Sequence, residues 1–206
     1  MSRVTAGVVI NERARVVGPV GPALLLDRDG VINVNHGYVH SPDQTDWVPG
    51  IFEFCRTAVT AGYRPIVVTN QAGIARGLYD EAQFARYSRW VHDEFAVRGV
   101  EILATYYCPH HPDAGLGTYL IQCNCRKPAP GMLLAAAHDL GVDLARSIMI
   151  GDKVSDMRAG EAAGVGTLLL LDPAGEQPVG PPRTRVCASL DEAARALTGL
   201  VTGLPG

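Results

Sequence analysis

The sequence predicts an α/β fold, a Rossmann-like parallel sheet flanked by helices. Short apolar runs alternate with amphipathic stretches along the chain, which is typical of repeated βα units. The runs are apolar throughout, as expected for strands that helices cover on both faces. Glycine follows several of the amphipathic stretches, at the position where helices commonly end. No segment is large enough to form a separate cap domain.

The apolar runs and the helical stretches give the order of the elements. The predicted strands are 23–27, 65–69, 104–107, 147–151 and 166–171. The predicted helices are 51–61, 81–98, 131–140, 155–163 and 190–197. In the second of these helices Phe84, Tyr87, Val91 and Phe95 recur every three or four residues, and Asp80 with Gln83 predicts its N-terminal cap. The glycines at the helix ends are Gly62, Gly99, Gly141 and Gly164.

The length of 206 residues fits one domain. Hydrophobic residues make up 47% of the chain, enough for a substantial core. We expect an N-terminal tail at 1–21, a single domain at 22–200 and a C-terminal tail at 201–206. Segment 172–185, rich in proline and glycine, is predicted to connect to the last helix. Two long segments without periodicity, 30–49 and 108–130, are expected to be functional loops.

The charge and the hydropathy pattern argue against several classes of protein. The formal net charge is −3, whereas a general nucleic-acid binder usually carries a basic excess, so no nucleic-acid partner is expected. No apolar run approaches the roughly 20 residues that span a bilayer, so no membrane association is expected. Residues 1–20 lack the pattern of a signal peptide. These features favour a cytoplasmic protein.

Polar side chains follow the predicted strands at the points where those strands end. Asp27 and Asp29 follow the first strand, Thr69 ends the second and Asp152 follows the fourth. Lys127 lies in the long loop after the third strand. Ligands of open parallel sheets bind beyond the carboxyl ends of the strands, so these groups are expected to converge.

This set of groups suits phosphoryl transfer with Mg²⁺. The reaction needs a hard cation and positive groups around the phosphoryl oxygens, and Mg²⁺ prefers oxygen ligands. The predicted ligands are Asp27, the backbone carbonyl of Asp29, and Asp152. Repulsion between neighbouring carboxyl groups could keep Asp29 protonated as a general acid.

The second long loop has the residues of a metal site. Three of the five cysteines fall within positions 108–125, a pattern that fits a metal site better than a disulfide framework. The predicted ligands of a structural zinc ion are Cys108, His110, Cys123 and Cys125. His111 is an alternative to His110, and an ordinary loop of reduced thiols is the alternative to a metal site. Zinc at this position would fix Lys127 at the crevice.

Four motifs then carry a resemblance to a known family. They are Asp27-Arg28-Asp29-Gly30-Val31-Ile32, Val67-Val68-Thr69-Asn70-Gln71, Lys127-Pro128 and Gly151-Asp152-Lys153 followed by Asp156. They resemble the motifs of the haloacid dehalogenase superfamily of phosphatases, over about 24–171. The resemblance implies that Asp27 is the nucleophile, which forms an aspartyl-phosphate, and that Asp29 is the acid and later the base. It implies that Thr69 and Lys127 hold the phosphoryl group, that Asp152 binds Mg²⁺, and that Asp156 is a supporting carboxylate that orients Lys127.

The cysteine loop is similar to that of one branch of the superfamily, which acts on histidinol phosphate and on heptose bisphosphates. The stretches 33–39, 73–77, 108–112 and 126–132 favour the heptose group. The resemblance therefore implies removal of the 7-phosphate from a heptose 1,7-bisphosphate, in nucleotide-activated heptose synthesis for the cell envelope, by a monomeric enzyme. The implied substrate contacts are Asn35, His36, Gly37, Tyr38, Thr69, Asn70, Gln71, Ala72, Arg126, Lys127 and Lys153. The resemblance does not indicate the anomer.

Three alternatives remain at this point. Histidinol-phosphatases share the motifs and the cysteine loop. A phospho-acceptor receiver domain also has an acidic cluster, a threonine and a lysine on a parallel sheet, but would lack the motif at Gly151-Asp152. A zinc module for nucleic acid would require a basic, aromatic face.

Overall fold

The structure, a computed structural model, describes residues 6–14 and 18–202, and for residues 200–202 it describes the backbone only. The strands are β1 Gly7–Ile10, β2 Ala23–Leu26, β3 Arg64–Asn70, β4 Ala104–Cys108, β5 Ile148–Gly151, β6 Thr167–Leu171 and β7 Thr184–Cys187. The helices are α1 Ile51–Thr60, α2 Ala72–Ala75, α3 Glu81–Val97, α4 Gly131–Leu140, α5 Val154–Ala163 and α6 Leu190–Thr202.

The strands form one sheet in the order β1-β4-β3-β2-β5-β6-β7. All neighbouring pairs are parallel except β1 with β4. The predicted α/β fold with a parallel sheet is therefore confirmed, and the five predicted strands correspond to β2–β6 within one residue at each end. No large cap domain interrupts the described part of the chain.

Side chains of successive strand residues enter two separate cores, one on each face of the sheet. Leu24 and Leu26 pack with α1, α3 and α6, whereas Leu25 packs with α4 and α5. This alternation follows from the two-residue period of a strand and explains why the central strands are apolar at every position. Both faces are covered, so the carboxyl edge of the sheet is the exposed place for a ligand.

The prediction that 1–21 is a loose tail is wrong for the residues that the structure describes there. Gly7–Ile10 pairs antiparallel with β4, from Gly7 opposite Tyr107 to Ile10 opposite Ala104. Val20 N–H donates to the carbonyl of Leu140 at 2.9 Å. The strand was missed because it lies at an edge and half of it faces solvent, with only Val9 buried. Residues 1–5 and 15–17 lie outside the described part.

Two further boundaries differ from the prediction. The segment 172–185 is not only a connection, because residues 184–187 form β7, parallel to β6. This strand was also missed because it is short and exposed, with Arg185 and Val186 facing solvent. The last helix extends to Thr202, so 201–202 belong to it, and 203–206 lie outside the described residues. The extent of the single domain, 22–200, stays a prediction.

The helices follow their sequence signals closely. The carboxylate of Asp80 accepts from the N–H of Gln83 at 2.6 Å, and the Gln83 side chain accepts from the N–H of Asp80 at 2.8 Å. This is the predicted capping box at the start of α3. The four glycines expected after helix ends all have positive φ, between 66° and 90°. In the described chain, no helix is both long and apolar enough to cross a membrane.

Candidate active site

The sheet order brings the functional groups of three strands to one edge. β2 lies between β3 and β5, so the carboxyl ends of these strands are adjacent. Asp27 follows β2, and its backbone N–H continues the sheet by donating to Ile150 at 2.9 Å. Thr69 lies near the end of β3 and Asp152 follows β5. The topology of the sheet therefore brings these side chains to one crevice, as predicted.

Lys127 reaches this crevice from the loop after β4 and is almost fully buried. Its Nζ lies 2.8 Å from Asp27 Oδ1 and 2.6 Å from Asp156 Oδ1, and it donates to the carbonyl of Val68 at 2.8 Å. Burial alone would lower the pKa of Lys127, but the ion pairs with Asp156 and Asp27 outweigh burial and raise it. The ammonium is therefore a permanent positive charge beside Asp27.

A cluster of carboxylates fits a hard cation. Ligand atoms of Asp27, Asp152 and Asp156 all lie within 4.8 Å of one another. Asp156 uses Oδ1 for Lys127 and Oδ2 for the N–H of Lys153 at 3.0 Å. Asp152 Oδ1, in contrast, is buried and has no hydrogen-bond partner in the described structure. A buried carboxylate oxygen without a donor indicates a missing ligand, and a set of oxygen donors suits Mg²⁺.

The electrostatics of Asp152 agree with a cation at this position. Burial, followed by the nearby charge of Asp27, raises the pKa of Asp152 to about 7. A carboxylate so unfavourable in isolation is stabilised when a divalent cation neutralises it.

Gly30 lets the backbone approach this carboxylate. Its φ is +95°, and a Cβ atom at this position would lie 2.3 Å from Asp152 Oδ2. The peptide between Asp29 and Gly30 therefore lies beside Asp152, as the predicted ligation through the Asp29 carbonyl requires. Ligation by that carbonyl stays a prediction.

The carboxyl group of Asp29 has a different environment from the one expected. Its oxygens accept from Arg28 Nη2 at 2.8 and 2.7 Å and from Asn33 Nδ2 at 3.0 Å, and Gln71 Nε2 lies 3.4 Å from Oδ2. These neighbours are donors, so repulsion by a second carboxyl group does not describe how the structure holds Asp29. The role of Asp29 as acid and base stays a prediction.

Asn70 and Gln71 were predicted to contact substrate, but their side chains bind the protein. Asn70 Nδ2 donates to the carbonyl of Lys127, and the N–H of Lys127 donates to Asn70 Oδ1, both at 3.0 Å. Gln71 Nε2 donates to Thr69 Oγ1 at 2.8 Å, and Tyr79 donates to Gln71 Oε1 at 2.6 Å. Both side chains therefore position the groups beside them.

Asn35 and Lys153, two other predicted substrate contacts, lie beside Asp152 at the rim of this centre. Asn35 lines a pocket together with Gly30 and Asp152. Lys153 Nζ lies 3.7 Å from Asp152 Oδ2, with its side chain half exposed. Arg126 Nη1 donates to the carbonyl of His110 at 3.2 Å.

Of the remaining residues of this set, three lie in the loop at 35–39 and one lies in α2. His36 pairs with Asp46 at 2.8 Å, and the Tyr38 ring lies 5.9 Å from the Arg76 guanidinium. Gly37 and Tyr38 have positive φ, of 80° and 54°. Ala72 begins the short helix α2. His36 and Tyr38 contact other residues of the rim. Among the described residues, no contact joins them to Asp27, Asp152 or Asp156.

The second candidate metal site lies in the loop after β4. Four ligand atoms lie within 4.8 Å of one another, and they belong to Cys108, His110, Cys123 and Cys125. The three sulfur–sulfur distances are 3.3–3.5 Å, and His110 Nδ1 lies 3.4 Å and 3.6 Å from two of the sulfurs. Tetrahedral Zn²⁺ with Zn–S bonds of about 2.3 Å needs ligands roughly 3.8 Å apart, close to this arrangement. The predicted zinc-binding loop is thus compatible with its geometry.

The candidate ligands of this loop differ in their hydrogen bonds. A hydrogen bond from Cys125 lowers the pKa of Cys108 to about 5, against the effect of burial, which favours the thiolate form that a metal binds. His111 is not part of the cluster of ligand atoms, and its Nδ1 accepts from the N–H groups of Asp113 and Ala114 at 3.1 and 3.0 Å. The sulfurs of Cys55 and Cys187, both buried, are not in the cluster.

One buried charged side chain beside the site was not singled out from the sequence. Arg28 lies between the two aspartates of the first motif and is buried, although arginine is rarely buried without a reason. The only signal in the sequence was its position between Asp27 and Asp29.

The fold and site together define a hydrolase of the haloacid dehalogenase type. A family model described as HAD-hydrolase-like matches residues 124–193. The D,D-heptose 1,7-bisphosphate phosphatase from B. bronchiseptica, solved in complex with magnesium and phosphate, is similar in structure. Its TM-score is 0.75 at 34% identity, over 87% of this chain and 99% of that chain.

Curated relatives narrow the class. The D-glycero-beta-D-manno-heptose-1,7-bisphosphate 7-phosphatase of Vibrio cholerae is 51% identical over 150 residues, which cover 73% of this chain and 81% of that protein. The corresponding alpha enzyme of Burkholderia mallei is 52% identical over 149 residues, covering 72% and 79%. The chain belongs to this family of heptose-bisphosphate phosphatases.

Proposed function

We propose that the protein is a phosphatase that removes the 7-phosphate of D-glycero-D-manno-heptose 1,7-bisphosphate through an aspartyl-phosphate. The observation that carries the proposal is the buried Lys127 ammonium, which binds the carboxylate of Asp27 at 2.8 Å beside the carboxylate cluster. Relatives of nearly equal identity are named for each anomer, so the proposal covers the 7-phosphate of both. We place the reaction in the cytoplasm, in heptose synthesis for the cell envelope.

Asp27 is the proposed nucleophile. Its Oδ1 binds the N–H of Arg28 and the ammonium of Lys127, both at 2.8 Å, which fixes the carboxylate plane. Oδ2 is then the attacking oxygen. The Oδ2–P bond forms while the bond between phosphorus and the 7-oxygen breaks, so the phosphoryl group moves to Asp27.

Asp29 is the proposed acid and base. Gln71 Nε2 connects Asp29 Oδ2, at 3.4 Å, to Thr69 Oγ1, at 2.8 Å, and Thr69 is proposed to bind the phosphoryl group. A proton on Asp29 goes to the departing 7-oxygen, which leaves as an alcohol. In the second step the oxygen of a water molecule bonds to phosphorus while the Oδ2–P bond breaks. The water gives a proton to Asp29, and Asp27 and orthophosphate are released.

Thr69 and Lys127 bind the transferring group. The Thr69 oxygen accepts from Gln71, so its own hydroxyl proton is free to point at a phosphoryl oxygen. Lys127 supplies a positive charge that is fixed before the reaction, because Asp156 and the Val68 carbonyl hold its Nζ.

Asp27, Asp152 and the carbonyl of Asp29 would hold Mg²⁺, which would offset the negative charge between nucleophile and phosphate. Zinc would be held by the four ligands of the cysteine loop and would have a structural role. The donors of the two sites differ in kind, oxygen in one and sulfur with imidazole in the other, so each site selects its own metal.

The phosphate remote from the reaction is assigned to Arg126 and Lys153. Arg126 is anchored on the His110 carbonyl by one guanidinium nitrogen and has other donors to offer. Lys153 is half exposed beside Asp152. Binding energy from the remote phosphate then positions the reacting one. The further expectations, a monomer without nucleic-acid or membrane partners, are part of this proposal.

The test measures release of orthophosphate from both heptose bisphosphate anomers, from histidinol phosphate and from an aryl phosphate on one preparation. We expect the bisphosphates to be preferred and heptose 1-phosphate to be the product. Arg126→Ala is expected to lower kcat/KM for the bisphosphates about 10- to 100-fold, the value of a charged hydrogen bond, and to affect the aryl phosphate much less. Arg146→Ala, at an exposed position elsewhere, is the control. Equal losses on the bisphosphates and the aryl phosphate with Arg126→Ala would contradict the role of Arg126 in binding the remote phosphate. Faster turnover of histidinol phosphate would show that the heptose bisphosphate is not the preferred substrate.

A further inference from the structure

The Arg28 side chain connects the proposed proton donor to the loop at the rim. Its Nη2 donates to Asp29 Oδ1 at 2.8 Å, to Asp29 Oδ2 at 2.7 Å and to the carbonyl of Val39 at 2.6 Å. The loop that contains Val39 also carries the residues 35–38 at the rim. One nitrogen atom therefore fixes both the carboxyl group of Asp29 and the end of that loop.

The guanidinium group cannot turn away from this position. It lies 5.6 Å from the ring centroid of Phe84 and 5.1 Å from that of Tyr87, both on α3. Its Nε and Nη1 are buried and have no hydrogen-bond partner in the described structure. Two aromatic rings therefore lie close to it, an environment that suits the weakly hydrated guanidinium better than an ammonium.

Burying the charge of Arg28 costs free energy, and Asp29 has other hydrogen-bond donors. Asn33 already donates to Asp29 Oδ1, and Gln71 lies near Oδ2. A buried charge with unpaired nitrogen atoms costs free energy, and a neutral apolar side chain of similar length would avoid that cost. What only Arg28 provides is a rigid contact to both carboxyl oxygens and to Val39.

We propose that Arg28 is a positioning residue that holds the carboxyl group of Asp29 in the orientation for proton transfer to the leaving oxygen. The inference rests on the proposed function. It adds that Arg28 connects the carboxyl group of Asp29 to α3 and to the loop at 35–39. The proton still passes between Asp29 and the departing oxygen, and Arg28 exchanges none.

A proton donor matters only when the leaving group needs a proton. A sugar alkoxide is a poor leaving group, whereas the phenolate of p-nitrophenyl phosphate leaves without one. Loss of a general acid costs typically 10²- to 10⁴-fold, and a misplaced acid is expected to cost part of this. Arg28→Met should therefore lower kcat for the heptose bisphosphate about 10- to 100-fold and kcat for p-nitrophenyl phosphate about threefold or less.

The experiment compares Arg28→Met, Arg28→Lys and the control Arg56→Met on both substrates, with thermal unfolding measured for each. Arg56 is an exposed arginine on α1 that pairs with Glu53, so its substitution removes the same groups away from the site. Arg28→Lys keeps the charge in case the methionine variant does not fold, and we expect the same selectivity with a smaller loss. Equal losses on the two substrates in the folded variants would overturn the proposal, because a merely structural role does not distinguish leaving groups.

A double-mutant cycle gives the second readout. If Arg28 acts through Asp29, Arg28→Met adds less than about threefold to the loss caused by Asp29→Asn, because the group it positions is gone. Fully multiplicative losses would contradict the proposal. Failure of the proposed function gives a different result from failure of the proposal for Arg28, because the wild-type chain would then release no phosphate from the bisphosphate.

Discussion

The side chain of Asn70 forms two hydrogen bonds with the backbone of Lys127, one to its carbonyl and one from its N–H, both at 3.0 Å. The two residues lie on different elements, the end of β3 and the loop after β4. The amide thus fixes the peptide from which the Lys127 ammonium extends to Asp27. Asn70, which was predicted to contact substrate, therefore aligns the lysine that we propose holds the phosphoryl group.

Asn70→Ala is expected to remove both hydrogen bonds and let Lys127 shift. Loss of the two bonds should lower the free energy of unfolding by about 1–3 kcal/mol. A displacement of about 1 Å in a catalytic group can cost 10²-fold in rate, so kcat should fall roughly 10- to 100-fold. Steady-state kinetics and thermal unfolding measure the two effects.

Asn11 offers a matched control for this variant. Its side chain also makes two hydrogen bonds with backbone, to Ile102 O at 2.8 Å and from Arg13 N at 3.1 Å, at the amino end of β4. Asn11→Ala should destabilise the protein similarly and leave kcat within about twofold. A comparable fall in kcat for both variants would show that the rate reflects stability alone.

The cysteine loop is expected to bind one zinc ion per chain. Cys125→Ser removes one of four ligands at a buried position next to Arg126 and Lys127, so it should lose the metal, unfold at lower temperature and lose most of its activity. Elemental analysis of the purified protein measures the metal directly. His111→Ala, whose ring binds the backbone of the same loop, should retain zinc.

A zinc-selective chelator tests the role of the metal without a substitution. Removal of zinc with Mg²⁺ present should lower kcat, and adding zinc back should restore it. Normal activity in a protein shown to contain no zinc would contradict a structural role for this metal.

Gly30 is expected to be required for binding of Mg²⁺ at Asp152. In Gly30→Ala the new Cβ would lie 2.3 Å from Asp152 Oδ2, so the carboxylate or the loop must move. We expect the dissociation constant for Mg²⁺ to rise at least tenfold, as measured by calorimetric titration.

Gly62→Ala separates this clash from backbone strain. Gly62 has a similar φ, +90°, and a Cβ at this position would have no atom within 4 Å. Both variants therefore carry the same left-handed strain of about 1–2 kcal/mol. Equal loss of Mg²⁺ affinity in the two variants would refute a specific contact at Asp152.

Local sequence signals were sufficient for the central strands, the long helices and the residue types at the carboxyl edge. Strands such as β2 and β5 are buried on both faces, and their apolar runs are unmistakable. The strands β1 and β7 lie at the edges, and each exposes part of its side chains, so neither has such a run. Edge position is a property of the sheet and leaves little trace in a four-residue segment.

The spacing of residues in the sequence could not predict the environment of each site residue. Arg28 meets Phe84 and Tyr87 only because α3, more than fifty positions further along the chain, packs on the same face of the sheet. Asn70 could equally have pointed to substrate or to backbone, and only the loop of Lys127 decides this. Residue types could be predicted, but partners depend on packing between distant segments.

The raised pKa of Asp152, about 7, predicts how Mg²⁺ affinity depends on pH. The cation binds the carboxylate form, so protons compete with it below this value. The apparent dissociation constant should rise about tenfold for each pH unit below 7 and become constant above it. Calorimetric titration between pH 5.5 and 8 measures this dependence.

The same group links Mg²⁺ to stability. Because the folded pKa of Asp152 lies above its ordinary value, the folded state binds the proton more tightly, and this group makes the metal-free protein less stable as pH rises from about 4 to about 7. Mg²⁺ should therefore raise the unfolding temperature more at pH 8 than at pH 5.5. Asp43→Asn, at an exposed acid, should keep this pattern, and Asp152→Asn should abolish it. A stabilisation by Mg²⁺ that is equal at both pH values in the wild-type protein would show that Asp152 does not ligate the cation.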